Sequence, residues 1–314
     1  MSDERQTERL LTVQDLTMRF GRKDRAVTAV RKVSFSIGAG ETYGLVGESG
    51  SGKSTIGKCI IGLHTPSEGR ISFDGHVLTK ASEKERREAA NGIQMIFQDP
   101  MSSLNPRKKV RDIVGAGLDI MKSCQTTAER NTRIEEILEK VGLAKDQADR
   151  YPAQFSGGQR QRVGIARALV MDPKLIIADE CIAALDASIQ AQVVNLLRRI
   201  QKETGTAFLF ISHDLSMVRY LSDRIGVLHR GYLLETGLTR EIFENPVHPY
   251  TKNLLNAAPA PNPIVQSRPA HFYDYETSGI LYENGTWQYV GDSDTHQVFC
   301  TEEEYIRWGG KNNG

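Results

Sequence analysis

An α/β fold built around a parallel sheet is predicted by three features of the 314-residue chain. Four short continuous apolar runs, Ile93 to Phe97, Leu175 to Ala178, Ala207 to Ile211 and Ile225 to Leu228, have the pattern of strands covered on both faces. Helical segments alternate with them, as a doubly wound sheet requires. A fifth run, Thr42 to Val46, leads directly into a glycine-rich turn, and open α/β sheets hold their ligands at such strand ends.

Ahead of that turn, from Leu10 to Ile37, β-branched and apolar residues form short runs broken by Gly21-Arg22-Lys23-Asp24, which predicts an antiparallel sheet. Between Asp99 and Ser156 the pattern becomes helical, at Val110 to Met121 and Ala128 to Val141, and predicts a helical insert. The core pattern stops near Asn245-Pro246, and Pro259, Pro261, Pro263 and Pro269 mark a linker into a distinct tail. Within the tail, Ile280 to Val290 alternates around Asn284-Gly285, the signal of a hairpin turn. Thr301 to Glu304 reads as a capping box opening a short helix that carries Tyr305 and Trp308. A small α+β extension, packed on its own aromatic residues, is the expectation.

Length and composition narrow the function. The chain exceeds the roughly 100–200 residues of one domain, so a core domain plus something smaller is expected. Lys and Arg total 40 against 39 for Asp and Glu, a balance that draws the protein neither to nucleic acid nor to anionic lipid. The opening Met1 to Arg5 is charged, and nowhere do about 18 apolar residues run together, so a soluble cytosolic chain is expected. Cys59, Cys124, Cys181 and Cys300 lie far apart, which argues against a zinc site, an iron–sulfur cluster or a disulfide framework.

The chemistry begins at Gly47, Glu48, Ser49, Gly50, Ser51, Gly52, Lys53, Ser54 and Thr55, which have the spacing of a phosphate-cradling P-loop. Glycines let successive backbone N–H groups close around a phosphate, and the helix that follows adds roughly half a positive charge. Lys53 then neutralises the β and γ oxygens of a nucleoside triphosphate, and Ser54 offers its hydroxyl to Mg²⁺. The strand Leu175 to Ala178 ends in Asp179 and Glu180, placed to hold the metal and to orient or deprotonate water. In Phe155 to Arg162, Ser156 and Gln159 form a capping box, but capping does not account for Gly157 and Gly158. Each glycine costs about 1 kcal/mol relative to Ala in a helix, and each permits close approach of an anion. Because the P-loop already holds one triphosphate tail, this second terminus is expected to read a nucleotide bound by another subunit, which predicts a dimer. His213, Gln98 and Phe20 carry little weight singly; a lone histidine is more often structural.

Their order along the chain changes that. Phe20, the P-loop, Gln98, Ser156 to Gln159, Asp179-Glu180, Leu185-Asp186 and His213 together resemble the nucleotide-binding subunits of ATP-binding-cassette transporters. More narrowly, Gly44 to Thr55, Gln94 to Arg107, Tyr151-Pro152, Phe155 to Arg162 and His248 to Lys252 resemble the oligopeptide, dipeptide and nickel importers, F-type subunit, over about residues 10 to 264. The resemblance implies a P-loop NTPase core with an N-terminal antiparallel β subdomain, forming a cassette domain over 1–260. The helical subdomain would occupy about 101–165, with a divergent extension over 261–314. It implies that Phe20 stacks on adenine, that Ser54, Gln98 and Asp179 reach Mg²⁺, and that Glu180 polarises water. His213 would contact the γ-phosphate, and Ser156, Gly157, Gly158, Gln159 and Asp186 would serve ATP across the dimer. The implied partners are a second ATPase, either a paralogue or an identical copy, two permeases and an extracytoplasmic solute-binding protein. The implied location is the cytoplasmic face of the cell membrane. Cys181 stands where the family usually has Pro, Ala183 where it usually has Ser, and the tail lacks the group's cysteine-rich run.

Uptake of peptides is the leading expectation, with oligosaccharides or nickel as alternative solutes. A DNA-maintenance ATPase with the same head is the alternative of another class. It is disfavoured because Lys53 to Ser156 is too short for a long coiled coil and lacks metal-ligand pairs, and because the overall charge is balanced. A stand-alone exporter ATPase is disfavoured by Gln94 to Arg107 and His248 to Lys252.

Overall fold

The computed structural model describes residues 9–21, 26–79, 82, 92–99, 103–183, 185–257 and 273–309. Two antiparallel strands, β1 (Arg9–Phe20) and β2 (Val27–Gly38), run into β3 (Thr42–Val46) and α1 (Lys53–Ile60). β4 (Glu68–Phe73) and β5 (His76–Val77) complete a four-stranded antiparallel sheet in the order β2-β1-β4-β5. The expected turn at Arg22 to Asp24 lies outside the described residues, as do Pro259 to Pro269.

The main sheet is assembled from β6 (Ile93–Ile96), β7 (Leu175–Asp179), β8 (Ala207–Ser212), β9 (Arg224–His229) and β10 (Tyr232–Leu238) around β3. β6, β7, β8, β3 and β9 lie side by side in that order and are parallel. Alternate residues face opposite layers. Leu175, Ile177, Leu209 and Ile211 pack toward the antiparallel sheet, while Ile176, Ala178, Phe208 and Phe210 pack toward the helices. Burial on both faces explains why these strands read as unbroken apolar runs. The pairings Ile96 with Ala178, Asp179 with Ile211, and Val46 with Ser212 and Val227 bring all the strand C-termini to one edge.

The helical insert follows β6. Its first predicted helix is two, α2 (Val110–Val114) and α3 (Ala116–Met121), divided at Gly115. A Cβ there would lie 2.3 Å from the Arg130 guanidinium and 2.8 Å from Ile134, both on α4 (Thr127–Lys140), so the glycine admits the neighbouring helix. Thr126 caps α4 by accepting from the Glu129 amide. α5 (Gly157–Leu169) returns the chain to β7, and α6 (Ala187–Thr204) connects β7 to β8. α7 (Leu215–Leu221), α8 (Thr239–Glu244) and α9 (Pro249–Ala257) complete the helical layer, so helices persist beyond Pro246.

The tail departs from expectation. After the short α10 (Tyr275–Ser278), Tyr282 to Asn284 is a 3-10 turn, and Gly285 has φ −70°, so no hairpin turn forms at Asn284-Gly285. A two-residue hairpin of that type needs positive φ at both positions. Gly285 instead makes room for a ring, since a Cβ would lie 2.7 Å from Phe299. The hairpin is formed by β11 (Thr286–Tyr289) and β12 (Gln297–Cys300), joined through Gly291 at φ 58° and closed by the Val290 amide on the His296 carbonyl. The extension does not stand apart: β12 pairs with β10, so the main sheet grows to eight strands. The last helix, α11 (Glu302–Arg307), carries the predicted Thr301–Glu304 capping box.

Candidate active site

The site grows from the turn after β3. Gly47 has φ 150°, and a Cβ there would lie 2.0 Å from the Leu228 carbonyl of β9. At Gly52, with φ 109°, it would lie 2.4 Å from the Ala29 carbonyl of β2. Neither position tolerates a side chain, and the loop is thereby pressed against the strands beneath it. Glu48, Ser49 and Gly50 are exposed, whereas Ser51, Gly52 and Lys53 are buried and Ser54 and Thr55 half-buried. Lys53 is 3% exposed, and its ammonium donates to the Gly47 and Glu48 carbonyls at 2.8 Å each. No side chain caps α1 and no acid sits in its first turn, so its amides and dipole face the loop's concavity.

The neighbouring strand ends supply the acids. Ser54 donates its hydroxyl to Asp179 Oδ1 at 2.7 Å, across 125 residues of sequence. Glu180 adopts φ 44°, a left-handed conformation uncommon for a residue with a side chain, while its amide donates to the Ile211 carbonyl at 2.9 Å. The turn aims the Glu180 carboxylate at two other loops. Gln98 Nε2 donates to Oε2 at 2.9 Å, and His213 Nδ1 lies 3.5 Å from Oε1. Burial depresses the Lys53 pKa, against the pull of Glu180 and Asp179. Burial raises that of Asp179, against its hydrogen bond from Ser54.

Among the described residues no group of three or more His, Cys, Asp or Glu forms a complete metal cage. The Ser54 hydroxyl, the Asp179 carboxylate and the Gln98 carboxamide oxygen are all hard oxygen donors. That set fits Mg²⁺, which takes few protein ligands and keeps water and substrate phosphate around it.

The remaining predicted residues lie on other elements. Phe20 ends β1, is 38% exposed, and meets the His64 ring edge-on at 5.3 Å. Ser156 and Gln159 bond each other's backbone amides as the cap of α5. Gly158 has a packing reason, since a Cβ would lie 2.6 Å from Ile189 of α6; at Gly157 the nearest atom among the described residues, on Leu185, is 3.9 Å away. Asp186 opens α6 without a side-chain capping bond. Cys181 is 2% exposed, and burial pushes its thiol up to about 12. One contact was invisible to spacing rules: the buried Tyr250 hydroxyl accepts from the Glu48 amide at 3.1 Å.

Known proteins match most of this chain. The ABC transporter family profile matches residues 30–183, and that of the oligopeptide/dipeptide transporter C-terminal region matches 234–272. The chain is 52% identical to the oligopeptide transport ATP-binding protein OppF of Bacillus subtilis (strain 168), over 95% of its own length and 98% of the relative's. It is 54% identical to the dipeptide transport ATP-binding protein DppF of Lactococcus lactis subsp. cremoris (strain MG1363), over 92% and 93%. Among solved structures, the dimeric ATP-binding cassette MJ0796, bound to ADP and Pi after hydrolysis, superposes with a TM-score of 0.67 at 29% identity, covering 73% of this chain and 99% of that one. CbiO1 of Clostridium perfringens, part of the ABC transporter complex cbiONQ, gives 0.67 at 30% identity, covering 76% and 92%.

Proposed function

This chain belongs to the ABC transporter family, and from that membership we propose that it is the ATP-hydrolysing subunit of an importer of oligopeptides or dipeptides. The observation that carries the reading is the meeting of four loops at one sheet edge: the loop bearing Lys53 and Ser54, Gln98, Asp179-Glu180 and His213.

In this reading the amides of residues 47–55 and the Lys53 ammonium bind the phosphates of ATP, and Phe20 offers its exposed ring to adenine. Glu180 orients water and takes its proton. Gln98 and His213 fix that carboxylate from two sides, and His213 also faces the γ-phosphate. Ser54, Asp179 and Gln98 would hold Mg²⁺, which when bound neutralises charge on the β and γ oxygens.

Ser156 to Gln159, with Asp186, serves ATP held by a partner ATPase, a related chain or a second copy of this one. The open approach to Gly157 and the dimeric form of the MJ0796 cassette support that reading. The helical subdomain of about 101–165 grips a short cytoplasmic helix of a permease, one of two in the transporter, and a solute-binding protein delivers peptide from outside. The chain works as a peripheral subunit on the cytoplasmic membrane face; among the described residues no helix is long and apolar enough to cross a membrane. The cassette spans 1–260, and the extension begins at 261.

Uptake of labelled di- and oligopeptides by cells lacking the gene tests this. Uptake should be lost, and restored by the wild-type chain but not by Glu180→Gln. Undiminished uptake in the deletion strain would refute the assignment to peptides.

A further inference from the structure

The Gly47–Glu48 peptide is held from both ends of its dipole. Its carbonyl accepts from the Lys53 ammonium at 2.8 Å, and its N–H donates to the Tyr250 hydroxyl at 3.1 Å. Tyr250 comes from α9, some 200 residues away, and is 1% exposed. Its own position is determined from several sides. The Tyr250 amide donates to His248 Nδ1 at 3.0 Å, and the buried Glu235 carboxylate accepts the Val247 and His248 amides at 2.7 and 3.1 Å. The Tyr250 ring stacks on His229 with 4.1 Å between centroids.

The C-terminal extension supplies the outer half of this assembly. Tyr282 places its hydroxyl 2.7 Å from His229 Nδ1 and 2.9 Å from the Tyr273 hydroxyl. His296 Nε2 lies 2.8 Å from Glu235 Oε1, and Trp308 meets the His248 ring at 4.8 Å. Burial keeps His229 neutral, with its pKa pushed down to about 4, so it packs between the tyrosines as an uncharged ring.

We propose that Tyr250 is a positioning residue for the phosphate loop, and that the C-terminal extension sets it through Tyr282 and His229. The hydroxyl fixes the plane of the Gly47–Glu48 peptide, the carbonyl of that plane fixes the Lys53 ammonium, and nucleotide affinity thereby depends on the docked extension. This inference rests on the phosphate-binding role of Lys53, which is tested separately below.

The experiment measures ATP binding by the full-length chain calorimetrically, with thermal midpoints recorded alongside. It also measures ATPase kinetics of the assembled transporter. Tyr250→Phe keeps the stacked ring and removes only the hydroxyl. It should weaken ATP binding about 5-fold, the size of one net hydrogen bond, and raise KM by a similar factor with kcat within about 2-fold. Tyr282→Phe, which touches no part of the loop, should weaken binding about 2-fold, and the double variant should be no worse than Tyr250→Phe. Should Tyr250→Phe fail to fold, Tyr282→Phe carries the test. Unchanged ATP affinity in whichever of the two variants folds would overturn the inference, and so would effects that simply multiply. Lys53→Ala should bind ATP poorly. If it binds normally, the phosphate-loop reading itself falls. If it fails to bind while Tyr250→Phe is normal, only the positioning role falls.

Discussion

Acidification from about pH 7.5 to about pH 5 should destabilise this protein through two imidazoles that the fold keeps neutral. His248 is 0% exposed, surrounded by Tyr273, Tyr282 and Trp308, with Nδ1 accepting from the Tyr250 amide. Burial pushes its pKa from 6.5 to about 3. His229, 7% exposed, is pushed to about 4 by burial and secondarily by the Arg230 charge. The unfolded chain therefore binds protons near pH 6.5, whereas the folded chain refuses them until about pH 4 and 3. Stability from these residues is complete above the unfolded pKa and is lost as pH falls through it toward the folded values. At about pH 5 the loss, RT ln(1 + 10^1.5), is about 2 kcal/mol per imidazole, or about 4 kcal/mol for the pair. That is a large share of the roughly 5–15 kcal/mol that holds a typical domain folded. His248→Asn cannot take a proton but keeps an acceptor for the Tyr250 amide. Its loss over the same range should be smaller by about 2 kcal/mol, measured by urea unfolding at both pH values. Equal losses in the two proteins would refute the claim that burial of His248 couples folding to protonation.

Three further outcomes follow from particular contacts. Glu180→Gln should leave ATP binding nearly intact while lowering turnover by about 10²- to 10⁴-fold, the usual effect of a lost general base; near-normal turnover removes Glu180 from that role. Ser156→Arg should abolish ATPase in the assembled complex yet spare ATP binding by the isolated subunit. Equal loss in both would mean that the α5 terminus serves its own nucleotide or only the fold. Gly285→Ala puts a methyl where Phe299 stands 2.7 Å away and should cost about 1–3 kcal/mol in a thermal melt, whereas an unchanged midpoint would mean the ring yields freely.

Much of the core was legible because double-sided burial leaves a mark on composition. β3 coincides with the apolar run Thr42 to Val46, and β6, β7, β8 and β9 differ from their predicted runs by no more than a residue at either end. Loops that emerge from the ends of such strands inherit their positions, so Gln98, Asp179, Glu180 and His213 met at one edge although nothing local in the sequence joins them. The tail was less legible. Asn284-Gly285 has the composition of a tight turn, but its glycine answers to the Phe299 ring, a tertiary contact that no local pattern encodes. The pairing of β12 with β10 was equally invisible, because a four-residue strand fixes neither its partner nor its register by alternation alone. Tyr250 belongs with these: its hydroxyl matters through the Glu48 amide, some 200 residues away.

The glycine pair at the start of α5 separates two causes that sequence alone had merged. Gly158 answers to its own chain, since any side chain there would strike Ile189. Among the described residues a Cβ at Gly157 would meet nothing closer than 3.9 Å, and the capping bonds of Ser156 and Gln159 need no glycine between them. A glycine in the first helical turn costs about 1 kcal/mol relative to Ala, and at Gly157 no contact among the described residues offsets it. What such a position gains is a bare backbone N–H beside a helix's positive end, an arrangement suited to an anion approaching from outside the chain. Under the proposed function the P-loop serves this subunit's own nucleotide. Under that proposal Gly157 is free to read a second triphosphate, delivered by a partner, and hydrolysis would then depend on the closing of two subunits.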